Sequence, residues 1–140
     1  MVSLHHIGIL TGDLDAAAAV LCDEFGLGRG RRERLEDLGV DVQWVQSDGL
    51  RFEVISPTRD ESRAAEAIAL GQEGVHHLAF EVRDTDASLR QFRETGFGTL
   101  DQVSRAGVGG SRIGFLDPAT TGGLRIELVS GMSEGAEGHE

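Results

Sequence analysis

Residues 4–21 read LHHIGILTGDLDAAAAVL, and residues 75–92 read VHHLAFEVRDTDASLRQF. The two stretches follow one plan. A His-His pair sits inside a β-rich run, an acidic residue suited to a helix cap follows, and a helical segment with apolar periodicity comes next. The second pair lies 71 residues after the first (77 − 6 = 71), about half of the 140-residue chain. Self-similarity at a fixed spacing takes priority over local readings. Two copies are too few for a solenoid, so the pattern points to a duplicated module whose halves pack together.

Working outward, copy one predicts a strand over residues 2–10. A helix follows, capped by Asp13, fed by the alanines at 16–19 and stopped after residue 25 by Gly26 and Gly28. Strands are expected near 29–34, 40–46 and 50–56, with Asp48-Gly49 as the hairpin turn between the last two. Copy two repeats the order: a strand over 75–82, a helix from Asp84 to 95–96, and strands near 98–103, 112–115 and 124–129. The domain reading is a single domain over 1–131, with module one at 2–57, a linker helix at 58–71 and module two at 74–130. An acidic tail over 132–140 is expected to be disordered, and His139 within it is given no role. The resulting class is α+β, built from βαβββ twice, with helices on one face of a mostly antiparallel sheet.

The formal net charge is −11, which argues against nucleic acid as a partner. One basic patch stands out, Arg29, Arg31, Arg32 and Arg34, and all 13 basic residues are arginine. There is no apolar run of roughly 18 residues to span a membrane. The start, MVSLHHIGIL, does not read as a signal peptide. The single cysteine, Cys22, cannot form an internal disulfide, and a cytoplasmic location is the natural expectation.

Side chains alternate between the two faces of a strand. His6 then shares a face with Gly8 and Leu10, Glu53 with Arg51 and Ile55, His77 with Ala79 and Glu81, and Glu127 with Arg125 and Val129. The opposite rows are the strongly apolar ones and should pack on the helices. His6, Glu53, His77 and Glu127 all fall on the mixed row, where a cavity wall is expected. Each copy gives one histidine from its first strand and one glutamate from its last, at spacings of 47 (53 − 6) and 50 (127 − 77). Two imidazoles and two carboxylates suit one divalent ion such as Co²⁺, Mn²⁺, Ni²⁺, Fe²⁺ or Zn²⁺. Four protein ligands in an octahedral field leave two positions for a chelating substrate. His5 and His76 are not assigned to the metal.

Six stretches carry a family resemblance: LHHIGI at 4–9, FGLG at 25–28, LGVDVQWVQSDGLRFEVISP at 38–57, GVHHLAFEV at 74–82, GVGGSRIGFLDP at 107–118 and TGGLRIELV at 121–129. On these the chain resembles the vicinal oxygen chelate superfamily of glyoxalases, extradiol dioxygenases and bleomycin-resistance proteins, and within it the methylmalonyl-CoA epimerases. The resemblance implies paired βαβββ modules forming an open eight-stranded cup around one metal. It maps the ligands to His6, His77 and Glu127, with Glu53 as the fourth. It implies an epimerase that inverts an acidic carbon next to a carbonyl by 1,1-proton transfer through a metal-stabilised enolate. Glu127 serves there as one acid–base group. The family's second is a glutamate two residues before a Gly-Val pair. Here that position holds the shorter Asp37, with Glu36 beside it.

The family's histidine is missing from Gly107-Val108-Gly109-Gly110, and its His-Pro-Lys signature is Asp117-Pro118-Ala119 here. Those losses remove contacts to an acyl group or to CoA phosphates, for which Arg112 and the Arg29–Arg34 patch are candidate replacements. The implied partners are a small-molecule carbonyl substrate, an acyl-CoA in the closest case, and a second copy in a homodimer. Two other readings remain: another metalloenzyme of the superfamily (a non-CoA epimerase or a glyoxalase-type isomerase), and a metal-free ligand-sequestering resistance protein. Retention of all four ligands weighs against the last.

Overall fold

Two aspartates 71 residues apart start the two main helices. Asp13 accepts a hydrogen bond from the Ala16 N–H and Asp84 one from the Ala87 N–H, both at 3.1 Å, so each caps an otherwise unpaired first turn. A computed structural model of the chain describes residues 2–132; the expected tail from residue 133 on, with His139, lies outside them. The elements are β1 (Ser3–Leu10), α1 (Leu14–Ala19), β2 (Gly28–Leu35), β3 (Val40–Ser47), β4 (Leu50–Pro57), α2 (Arg63–Ala69), β5 (Gly74–Glu81), α3 (Thr85–Glu94), β6 (Arg105–Ala106), β7 (Arg112–Phe115) and β8 (Ile126–Ser130). The βαβββ order appears twice, as the repeat predicts, and the class is α+β.

The sheet order is β2-β3-β4-β1-β5-β8-β7-β6. In the first copy β1 runs parallel to β4, while β4–β3 and β3–β2 are antiparallel. The second copy repeats this with β5 parallel to β8, and β8–β7 and β7–β6 antiparallel. The β3–β4 hairpin closes at Asp48 (φ 47°) and Gly49 (φ 83°), two left-handed residues that match the twist of the strands they join.

The described residues divide into two compact units, one of residues 7–76 and one of residues 2–6 with 77–132. The divisions fall inside β1 and β5. In the first unit Leu14, Val45 and Val54 form a core, joined by Ile9, Ala17, Leu21 and Phe52. In the second, Leu89, Leu116 and Leu128 are joined by Val82, Phe92 and Ile126. Ile9, Phe52, Val54, Ile126 and Leu128 belong to the apolar rows assigned by strand alternation, so parity placed the helix-facing sides correctly.

Three expectations are corrected. The segment 98–103 is not a strand. The buried Asp101 side chain accepts from the Phe115 N–H at 2.8 Å, in place of a backbone carbonyl, and only the bridge Thr99↔Leu116 remains of a ladder. The paired piece is the two-residue β6 further on. The first helix does reach the predicted end, but Val20–Glu24 is wound as a π-helix, with the Phe25 N–H reaching the Val20 carbonyl five residues back. The linker helix is confined to α2, because Ser62 caps it by accepting from the Ala65 N–H.

Leu89 is fully buried, and a Cβ added at Gly114 would sit 2.8 Å from its Cδ1. The helix and β7 approach closely because Gly114 has no side chain. Urea denaturation should show Leu89→Ala losing about 2–5 kcal/mol through the cavity it leaves. Gly114→Ala should lose about 1–3 kcal/mol through overpacking. A neutral result for either contradicts this packing.

Candidate metal centre

The two His-bearing strands place their histidines alike. In β8, Glu127 pairs in register with Ala79, two residues beyond His77 on the same face of β5. In β4, Glu53 pairs with Gly8, two residues beyond His6 on the same face of β1. Both glutamates thus face a residue too small to fill the space beside the histidine. Burial is nearly complete: His6 is 2% exposed, His77 3%, Glu127 4% and Glu53 7%.

His6, His77 and Glu127 converge on one point. Glu127 Oε1 lies 3.1 Å from His6 Nε2 and 3.4 Å from His77 Nε2, and the two Nε2 atoms are 3.4 Å apart. Glu127 Oε1 makes no directed hydrogen bond despite these approaches. Two ring nitrogens within hydrogen-bond distance of each other and a buried carboxylate oxygen with no donor aligned on it therefore share one point. That is the donor geometry a small cation would organise, and imidazole with carboxylate suits a borderline divalent ion.

The charge balance agrees. Burial alone would raise the Glu127 carboxyl, because it penalises the anion. The facing imidazoles, the His77 charge first and His6 beside it, outweigh burial and hold the group well below the usual carboxylate range. An anion this deep needs compensating positive charge. The two imidazoles face that charge at 3.1 and 3.4 Å, and a cation bound among the three groups would supply the compensation.

His5 is a residue whose part sequence reasoning missed. It is 6% exposed, and its Nδ1 lies 2.8 Å from His6 Nδ1. For His6 Nε2 to offer a lone pair, His6 Nδ1 must carry the proton and donate to His5 Nδ1. Trp44 and Phe115 were missed too. Trp44 is fully buried and pairs with Glu53; Phe115 pairs with Glu127 and stacks edge-on against His77, with ring centroids 5.4 Å apart. The signal was available, because 115 − 44 gives the same 71-residue offset as the histidines.

Other predicted residues lie differently. Asp37 and Glu36 are exposed in the turn between β2 and β3. That turn is held by Arg59, which donates to the Glu36 carbonyl at 2.7 Å and the Asp37 carbonyl at 3.3 Å. The Arg29–Arg34 patch is already engaged: Arg29 meets Asp23, Arg31 meets Glu33, Arg32 meets Asp15 and Arg34 meets Asp41. The Asp41 hydrogen bond raises the Arg34 guanidinium, and Arg34 in turn holds the Asp41 carboxyl low. Asp117 caps the turn Pro118–Thr120 by accepting from the Ala119 N–H at 3.0 Å.

Residues 5–115 match the family described as the glyoxalase/bleomycin resistance protein/dioxygenase superfamily. The chain belongs to this superfamily. Within it, the chain is similar to methylmalonyl-CoA epimerases. It is 35% identical to a Streptomyces coelicolor methylmalonyl-CoA epimerase variant in complex with 2-nitronate-propionyl-CoA, at a TM-score of 0.82, over 91% of this chain and 93% of that one. It is 34% identical to a methylmalonyl-CoA epimerase in complex with methylmalonyl-CoA and NH4+, at a TM-score of 0.84, over 99% of each chain. It is also 26% identical to the uncharacterized protein YqjC of Bacillus subtilis over the full length of both. No helix among the described residues is long and apolar enough to cross a membrane.

The His5–His6 contact makes a prediction specific to this superfamily member. His5→Phe should weaken divalent-ion binding by about 10–100-fold, the usual cost of losing a residue that orients a ligand. Calorimetric titration with Co²⁺ or Mn²⁺ measures it, and unchanged affinity removes His5 from the site.

Proposed function

We propose that this chain is a metal-dependent epimerase that inverts an acidic carbon next to a carbonyl, acting on an acyl-CoA of the 2-substituted malonyl type. The convergence of His6, His77 and Glu127 at 3.1–3.4 Å carries the reading. The similarity to epimerases in complex with acyl-CoA ligands supports the substrate class. Glu53 is proposed as the fourth ligand on its register opposite Gly8 and its burial. A divalent ion held by these residues would act as a Lewis acid toward the oxygens flanking the acidic carbon.

The chain's own residues have separable tasks. His6 and His77 bind through Nε2, with His5 fixing the tautomer of the first. Glu127 is proposed both to bind and to move the α-proton, as a carboxylate kept deprotonated by its surroundings. Trp44 and Phe115 exclude water beside the two glutamates, which strengthens every charge interaction there. A 1,1-proton transfer needs a second acid–base group on the other face of the carbon. Asp37 is our assignment, with Glu36 as the alternative, and the β2–β3 turn must bring the group to the substrate.

Asp117-Pro118-Ala119 favours a second reading, a superfamily epimerase acting on a carbonyl compound without CoA. The aspartate is used as a cap and no basic residue stands in that stretch.

Solvent-deuterium exchange at the α-carbon of methylmalonyl-CoA, with Co²⁺ or Mn²⁺ present, tests the first reading. Exchange is expected in the native chain, with Glu127→Gln losing at least about 100-fold, the lower range for general acid–base catalysis. Asp37→Asn should fall by about 10-fold or more while Glu36→Gln does not. Exchange into α-hydroxyketones but not into the thioester would favour the second reading. No exchange into either class overturns both.

A further inference from the structure

The α3 side of the 77–132 unit carries a basic cavity away from the metal centre. A cavity of about 420 Å³ opens between α3 and the segment leading into β6. That volume falls in the range of small-ligand sites, roughly 300–1,000 Å³. Its lining carries three guanidinium groups, Arg90, Arg93 and Arg112, against one carboxylate, Asp86. The local formal balance is +2 (3 − 1) on a chain whose total is −11. Three of only 13 basic residues meet here, and Arg90 and Arg93 stand three apart on one helix, where like charges repel.

The single acid does not neutralise the group. Asp86 accepts from the Ser104 N–H at 2.7 Å and its hydroxyl at 2.8 Å, and its one negative charge also faces Arg112 and Arg90, leaving the three guanidiniums in excess. Ser104 is itself 5% exposed and in turn orients Arg112. Arg112 Nε donates to the Ser104 hydroxyl at 3.0 Å and Nη2 to its carbonyl at 2.7 Å. The Arg112 carbonyl accepts from the Thr85 hydroxyl at 2.8 Å, so the residue is held from both ends. Arg93 is steadied by one bond, from Nη1 to Thr99 Oγ1 at 3.0 Å. Each guanidinium has five donors, so both arms keep several N–H groups for a ligand.

We propose that this cavity binds a phosphate dianion through Arg90, Arg93 and Arg112. Arginine forks match the tetrahedral oxygens of phosphate and bind it bidentately. A net positive cavity on an acidic chain also concentrates anions locally. The phosphate is either free or part of a nucleotide, and Val103, 69% exposed at the cavity, offers an apolar ledge for a base or sugar. The site uses none of the residues of the metal centre, so the arginine variants below read it separately from the proposed activity.

Calorimetric titration of the full chain tests the assignment, after chelator treatment so that phosphate cannot bind through a metal at His6, His77 and Glu127. The probes are inorganic phosphate and adenosine 3′,5′-bisphosphate. Saturable binding of phosphate is expected; a much tighter nucleotide identifies the nucleotide source, and equal affinities identify free phosphate. Arg90→Gln with Arg93→Gln should weaken binding at least about tenfold, because charge-assisted bonds are lost. Arg90→Gln alone, whose side chain makes no hydrogen bond among the described residues, should weaken it about threefold or more with an unchanged melting temperature. Arg83→Gln, outside the cavity, should change nothing. Absence of saturation by either probe up to about 10 mM overturns the proposal. So does equal binding by native chain and double variant, or an equal loss in Arg83→Gln.

Discussion

A carboxylate 4% exposed, held between two imidazoles, is the constraint on which this structure turns. Removing an ionised carboxylate from water costs several kcal/mol even after relaxation, at roughly the scale of half a domain's net stability. His6 and His77, 3.1 and 3.4 Å away, are the groups that face Glu127 there and hold its carboxyl low. That arrangement has a stringent requirement. The histidine strand and the glutamate strand must be neighbours, in one fixed register, with a small residue opposite the carboxylate. Ala79 meets that requirement for Glu127, as Gly8 does for Glu53.

The rest of the architecture serves this register. The parallel pairs β1–β4 and β5–β8 bring the first and last strands of each module together, while the two intervening strands form the outer hairpins. A one-residue slip would send every side chain to the opposite face. Each helix packs on the apolar row behind its strands, so Leu14 and Leu89 fix the same register from the other side. The close approach of Leu89 to Gly114 shows how tightly β7, which carries Phe115, is set against α3. The anion cavity on the α3 side uses the same rigidity differently: Thr85 and Ser104 hold Arg112 from the helix and from the loop.

Much of this was legible in the sequence because duplication makes signals check one another. The offset of 71 residues relates His6 to His77, the capping Asp13 to Asp84, and Trp44 to Phe115. Strand alternation alone put Ile9, Phe52, Val54, Ile126 and Leu128 behind the sheet. What escaped it depended on side chains replacing backbone. Asp101 takes the amide of Phe115 and so leaves no sixth strand at 98–103, and no propensity encodes that substitution. The π-winding at Val20–Glu24 is likewise a tertiary choice that seats Leu21 and Cys22 on the core. The arginines of β2 read as an open basic patch because the acids that engage them lie up to 17 residues away in sequence. The part of His5 was obscured by parity, which sets adjacent residues on opposite faces although its ring reaches His6.

The metal assignment for His6, His77 and Glu127 is the claim from which the functional reading follows. Elemental analysis of chelator-treated protein, reloaded with Co²⁺ or Mn²⁺ and freed of unbound ion by gel filtration, tests it most directly. One ion per native chain is expected, and His77→Ala should lose that ion with the fold retained. A native chain that emerges without metal, or a His77→Ala chain that keeps its full complement, would contradict it.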